Sequence, residues 1–197
     1  MKVLNAGTEP VANAEVLRWI KETKERQAAE DAEDKAAGIP VTQRPKNFIA
    51  SITKHERELA DPKYPYTKNP KAYESWDAME RFDERMVELV IKPCSEKYKG
   101  KGLSMKEIDE QLGGEQEMKS LTEPEHLMIH NHAPQSAEQL STMLENCYDR
   151  FTAEELELIV QAINETYRKE EIEAAGGGSA AEQDDGADVG AMAEVVR

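Results

Sequence analysis

Between Ser120 and Ile163 the chain reads SLTEPEHLMIHNHAPQSAEQLSTMLENCYDRFTAEELELIVQAI, and this stretch carries three helix-start signals in close succession. Thr122, Ser136 and Thr152 are each followed three residues later by a side-chain acceptor: Glu125, Gln139 and Glu155. In such a capping box, hydroxyl and acceptor each satisfy a backbone N–H that the first helical turn leaves without a partner. Leu121, Leu127 and Ile129 mark the first helix, which stops before Pro134. Leu140, Met143, Leu144 and Tyr148 mark the second, and Leu156, Ile159, Val160 and Ile163 the third. Each segment is too short to hold in water alone. The spacing therefore predicts three short helices that bury their stripes together in a small bundle. Burying about a dozen such side chains at roughly 1.5–3 kcal/mol each drives folding only after chain entropy is offset, which leaves room for stabilisation by a partner.

The N-terminal half supplies further helices. One begins after Asn13, a good N-cap, with Val16, Leu17 and Ile20 on one stripe and Trp19 beside it. Its continuation, KETKERQAAEDAEDKAAG, has strong helix formers but almost no apolar face, and reads as a solvated extension ending at Gly38 before Pro40. Pro45 suits the first position of the next helix, with Phe48, Ile49, Ile52 and Leu59 on one side. The prolines of DPKYPYTKNP make a rigid connector whose tyrosines are placed to pack on a partner. Asn69 and Pro70 signal another start, and Tyr73, Trp76, Met79, Phe82, Met86 and Val90 recur every three or four residues until Pro93. A stripe of aromatic and methionine side chains reads as core, not as a cofactor site. A locally basic loop with Lys97, Lys99 and Lys101 leads to a further box, Ser104 with Glu107. The short helix it starts carries Ile108 and Leu112 and is closed by Gly113 and Gly114.

The ends differ in character. Lys2 to Asn5 can form one short strand, but a lone strand needs a neighbour, so a frayed terminus is the plainer reading. After about Ile172, glycines, small residues and scattered acids bury too little surface to order. The expected division is an N-terminal arm over 1–12, a helical domain over 13–172 with an expanded middle at about 38–120, and a disordered Gly-rich acidic tail over 173–197.

Forty acids against 25 bases give a formal charge of -15, a field that repels polyphosphate and argues against non-specific nucleic-acid binding by the whole surface. Cys94 and Cys147 are too few and too far apart for a disulfide framework, so a reducing compartment is the default. No run of about 18 apolar residues exists, so no membrane span is expected, and the MKVLNAGTEP start is no signal peptide. His126 and His130, four apart, share a helix face, with His132 near its end; the HExxH order is missing because Glu125 precedes His126. Surface and capping roles account for these histidines better than a metal does. No nucleophile elbow, P-loop or dinucleotide fingerprint is present, and no carboxylate falls in an apolar run. Neither an enzyme nor a cofactor is expected.

Leu121, Thr122, Glu125, Leu127, Asn131, Pro134, Leu140, Glu145, Arg150, Phe151, Thr152 and Ile159 stand in an order that resembles the C-terminal half of RNA polymerase stalk subunits of the HRDC-like family. That pattern has a capped apolar helix ending Asn-x-x-Pro, a helix with an acidic end, an Arg-aromatic-Thr corner and a last helix. Val3, Asn13, Glu15 and Val16 are similar to the opening of the family's RNA polymerase III branch. The resemblance implies an all-α, HRDC-like bundle in a nuclear, non-catalytic subunit without cofactors. It implies pairing with a stalk subunit that carries an OB domain, next to the polymerase core and initiation-specific subunits, with nucleic acid contacted only indirectly. It also gives the short strand a partner sheet, with Val3, Leu4, Val16, Trp19 and Ile20 at that interface. The RNA polymerase II counterpart and a free HRDC-type nucleic-acid-binding domain are the alternatives.

Overall fold

The computed structural model describes residues 10–93, 107, 113–115 and 117–176, and every element among them is helical. A long helix, α1 (Asn13–Ala36), turns back into α2 (Lys46–Leu59) as a helical hairpin. Two short turns follow, α3 (Pro65–Lys68) and a 3-10 turn (Pro70–Tyr73). Then α4 (Asp77–Met86) widens into a π turn (Val87–Ile91). The C-terminal part holds α5 (Glu123–His132), α6 (Ala137–Ser141), α7 (Cys147–Arg150), α8 (Ala153–Tyr167) and α9 (Lys169–Gly176).

The core is organised around α8. Its start is fully capped: Glu155 N–H donates to Thr152 Oγ1 at 3.2 Å, and Thr152 N–H donates to the Glu155 carboxylate at 3.0 Å. Leu156, Ile159, Val160, Ile163 and Tyr167 are buried along one face. Against α8 pack α4, the π turn, α6 and the 3-10 turn. They contribute Phe82, Met86, Val90, Leu140 and Tyr73 to the same apolar cluster. Much of the stretch read as an expanded middle thus supplies core, because its aromatic and methionine stripe has the helical period.

Several expectations need correcting. Ala12, not Asn13, is the N-cap of α1. The orphan N–H of Asn13 donates to Asn131 Oδ1 at 2.8 Å, and that of Ala12 to Glu15 Oε2 at 3.1 Å. With acceptors arriving from elsewhere, a cap residue without a polar side chain suffices. Pro45 likewise precedes its helix instead of opening it.

The extension of α1 is not merely solvated. Lys24 meets Glu56 at 2.5 Å, while Arg44 reaches Asp31 at 2.7 Å and the Gln27 carbonyl at 3.2 Å, which fastens the hairpin. Gly38, at φ 70°, closes α1 as expected of a residue that enters the left-handed region without strain.

The connector tyrosines face inward. Tyr66 is buried and donates to the Leu59 carbonyl at 2.8 Å, and its ring stacks on Tyr64 with centroids 5.3 Å apart. They are therefore not placed to pack on a partner.

The expected second helix is split into α6 and α7 around Asn146, which takes the left-handed φ of 48°. Tyr148 then points outward, 77% exposed. Gly113 and Gly114 are helical and do not close a helix. Residues 173–176, assigned to the tail, complete α9. Ser104, Ile108 and Leu112 lie outside the described residues, as do the arm before residue 10 and the tail after 176.

Candidate docking surface

The rigid frame of the molecule is a buried ion pair. Glu125, in the first turn of α5, is 3% exposed and faces Arg150 at the end of α7. Its Oε1 accepts from Arg150 Nη1 at 2.5 Å and from the Glu145 N–H at 2.9 Å. Its Oε2 accepts from Arg150 Nη2 at 3.1 Å and from the Thr122 N–H at 2.8 Å. Arg150 spends its remaining donors on the carbonyls of Met118, Glu145 and Ser120 at 2.8 to 2.9 Å. A guanidinium has five N–H groups and a carboxylate about four acceptor positions, so both partners are saturated. Burial by itself would raise the Glu125 pKa. The Arg150 hydrogen bonds and the two backbone N–H groups overcome it and hold the carboxyl at about 2. The loop before α5 and the α6–α7 corner are thereby locked to each other.

The same frame positions the start of α1. Asn131, nearly buried at the end of α5, accepts from Asn13 as described. Glu15 adds a second tie, since its Oε1 accepts from Trp76 Nε1 at 3.0 Å. Trp76 in turn stacks on His130, with centroids 5.3 Å apart, and His130 also lies against Tyr73 and Tyr167. Burial lowers the His130 pKa to about 4, against a smaller opposing pull from Glu15, so the ring is neutral at pH 7. It is a core side chain and not the surface or capping residue its sequence neighbourhood suggested. His126 Nδ1 sits 3.2 Å from an Asp83 carboxylate oxygen, and the His132 ring lies by Tyr64. The three rings therefore serve three different contacts.

On this anchored end two large apolar side chains stand in the open, Val11 at 56% and Trp19 at 53% exposure. Ala12 between them is fully buried. Exposed apolar surface beside an anchored residue suits the docking of another polypeptide.

A family model described as RNA polymerase Rpb4 matches residues 10–167 of this chain. The chain belongs to the Rpb4 family. It is thus a non-catalytic RNA polymerase subunit of the stalk type, part of a polymerase complex and paired with a stalk partner. No curated protein and no solved structure matches it. The match ends with Tyr167, the last residue of α8.

Within this Rpb4-family chain the motif residues converge on the frame. Thr122, Glu125 and Arg150 form the saturated corner. Phe151 is buried, Thr152 caps α8, Asn131 holds α1, and Pro134 is fully buried. Leu121 and Leu127 are half-buried, Leu121 against the core. Of the expected interface residues, Trp19 is exposed and Val16 half-buried, while Val3 and Leu4 lie outside the described residues. Ile20 departs from the expectation: at 2% exposure it is buried within the chain.

Sequence reasoning missed Arg168. Nearly buried, it donates to the Ala133 carbonyl at 2.7 Å and pairs with Glu171 at 2.6 Å, fastening the end of α5 to α9. Asn69 was missed as a clamp too; it bonds the Pro65 carbonyl at 3.0 Å and accepts from the Glu171 N–H at 2.9 Å. Neither role shows in the sequence: Asn69 reads only as a helix start before Pro70, and Arg168 opens the charged run RKEE.

Proposed function

We propose that this Rpb4-family chain is the stalk subunit of RNA polymerase III. In this reading it works in the nucleus and forms a heterodimer with the OB-domain stalk subunit. It supports initiation at genes for small structured RNAs such as tRNA and 5S rRNA, through contacts with the polymerase core and initiation-specific subunits. The observation that carries the reading is the N-terminal end. Val3, Asn13, Glu15 and Val16 stand in the order of that branch, and Val11 and Trp19 stand in solvent beside a fastened Ala12. An arm leaving such a point can add a strand to a partner's sheet, which satisfies its backbone groups and gives Val3 and Leu4 pockets to fill. A charge of -15 leaves RNA contact to the OB partner.

The RNA polymerase II counterpart is the second reading, and the family match is equally consistent with it. Purification of the tagged full-length chain from native extract separates the two. Stoichiometric RNA polymerase III subunits support the proposal; RNA polymerase II subunits in their place refute it. A free HRDC-type nucleic-acid-binding role predicts a salt-sensitive gel shift by the chain alone, where the stalk reading predicts none.

A further inference from the structure

An open groove of about 1030 Å³ lies between α8 and α9 and shares no residue with the docking end of α1. Its apolar part is made by Leu158, Val160 and Ile172, the last 51% exposed. Along α8 the lining runs from Glu154 to Glu165, which at 1.5 Å per residue is about 16 Å, or three helical turns. The rim is acidic: Glu154 and Glu157 at one end, Glu165 and Glu173 at the other, against a single Lys169. Lys169 is already 3.9 Å from Glu173, and Glu165 is held by Arg85. Glu154 and Glu157 have no ion-pair partner among the described residues.

We infer that this groove receives a basic amphipathic helical segment of a partner polypeptide, about three turns long, with apolar anchors at i, i+3 or i+4 and flanking Lys or Arg. The length of the apolar strip fits an anchor pair one turn apart, and the unpaired glutamates fit cations on the polar flank. The chain's own continuation is the other occupant within reach, since it leaves from Gly176 just beyond Ile172 and Glu173. It brings Glu182, Asp184, Asp185, Asp188 and Glu194 against one Arg197, so the rim repels it. Charge complementarity therefore selects a basic partner over the acidic tail.

Fluorescence anisotropy on the full-length chain tests this with three labelled peptides: KKLLKKLLKKLLKK, a scrambled sequence of the same composition without helical periodicity, and residues 177–197. The periodic basic peptide is expected to bind at least tenfold more tightly than the scrambled one. The Ile172→Ser variant and the Glu154→Lys/Glu157→Lys variant, both at exposed positions, each reduce its affinity at least tenfold. Charge reversal at Glu33, on the far part of α1, changes it less than twofold. Equal binding of the scrambled peptide, or equal weakening by the Glu33→Lys variant, reduces the effect to bulk charge and overturns the proposal. Tighter binding by the peptide of residues 177–197 assigns the groove to the tail and overturns it as well. Circular dichroism of each variant, with an unchanged helical signal, keeps misfolding out of the comparison.

Discussion

Arg150 and Glu125 form a buried pair in which every donor and acceptor is used, so removing either leaves an uncompensated charge. Arg150→Leu is expected to destabilise the fold by about 3–5 kcal/mol, and Glu125→Leu/Arg150→Leu by less than the single change, because the stranded charge is gone. Urea melts of the three proteins measure this; an Arg150→Leu cost under about 1 kcal/mol contradicts the account. Two acid windows follow from two shifted groups. His130 is held at about 4, below its usual 6.5, so it takes up its proton more readily unfolded. Its contribution is complete above pH 6.5 and is lost as pH falls toward 4, on the order of 2–3 kcal/mol in all. Glu125, held at about 2, stabilises above the usual carboxylate range and loses that only as pH falls from about 4.5 to 2. The variant His130→Phe should flatten the stability–pH curve between 6.5 and 4 and leave the lower window unchanged. At this scale the sequence showed that Thr122, Glu125 and Arg150 matter, through motif resemblance. It could not show that Arg150 touches the Thr122–Glu125 box, since Arg150 lies far along the chain and its partners are mostly backbone carbonyls.

Among the helices, caps matter unequally. Thr152 and Glu155 satisfy each other, whereas Glu125 divides its oxygens between Thr122, Glu145 and Arg150. Gln139 turns to the Gln135 N–H at 2.9 Å while Ser136 accepts from Gln139 at 3.4 Å. Replacing Thr152 with Ala should therefore cost about 0.5–2 kcal/mol, and Ser136→Ala less, since its bond is long. Thermal melts that rank the two in the opposite order contradict this reading of the caps. Helix starts were readable from sequence because a capping box is local. The break at Asn146 was not, because a residue in the left-handed region with its neighbour's N–H drawn to Glu125 is a tertiary effect. The inward turn of the connector tyrosines was hidden for the same reason: prolines announce a kink without saying which side faces the core. The start of α1 was misplaced by one residue because its cap is Asn131, remote in sequence.

For the whole molecule, one rigid frame presents two separate surfaces, the anchored end of α1 and the groove of α8 and α9. The all-α class and the family were legible from periodicity and motif order. The packing of α4 against α8 was not, since α4 lies in the stretch that the motif does not cover. None of the helices among the described residues is long and apolar enough to cross a membrane. All of this turns on whether the α1 end grips the OB-domain stalk subunit. Isothermal titration of that subunit into the full-length chain and into its Val11→Asp/Trp19→Ala variant tests it most directly. At least a tenfold loss of affinity with an unchanged melting temperature is expected, and undiminished affinity in the variant rules the grip out.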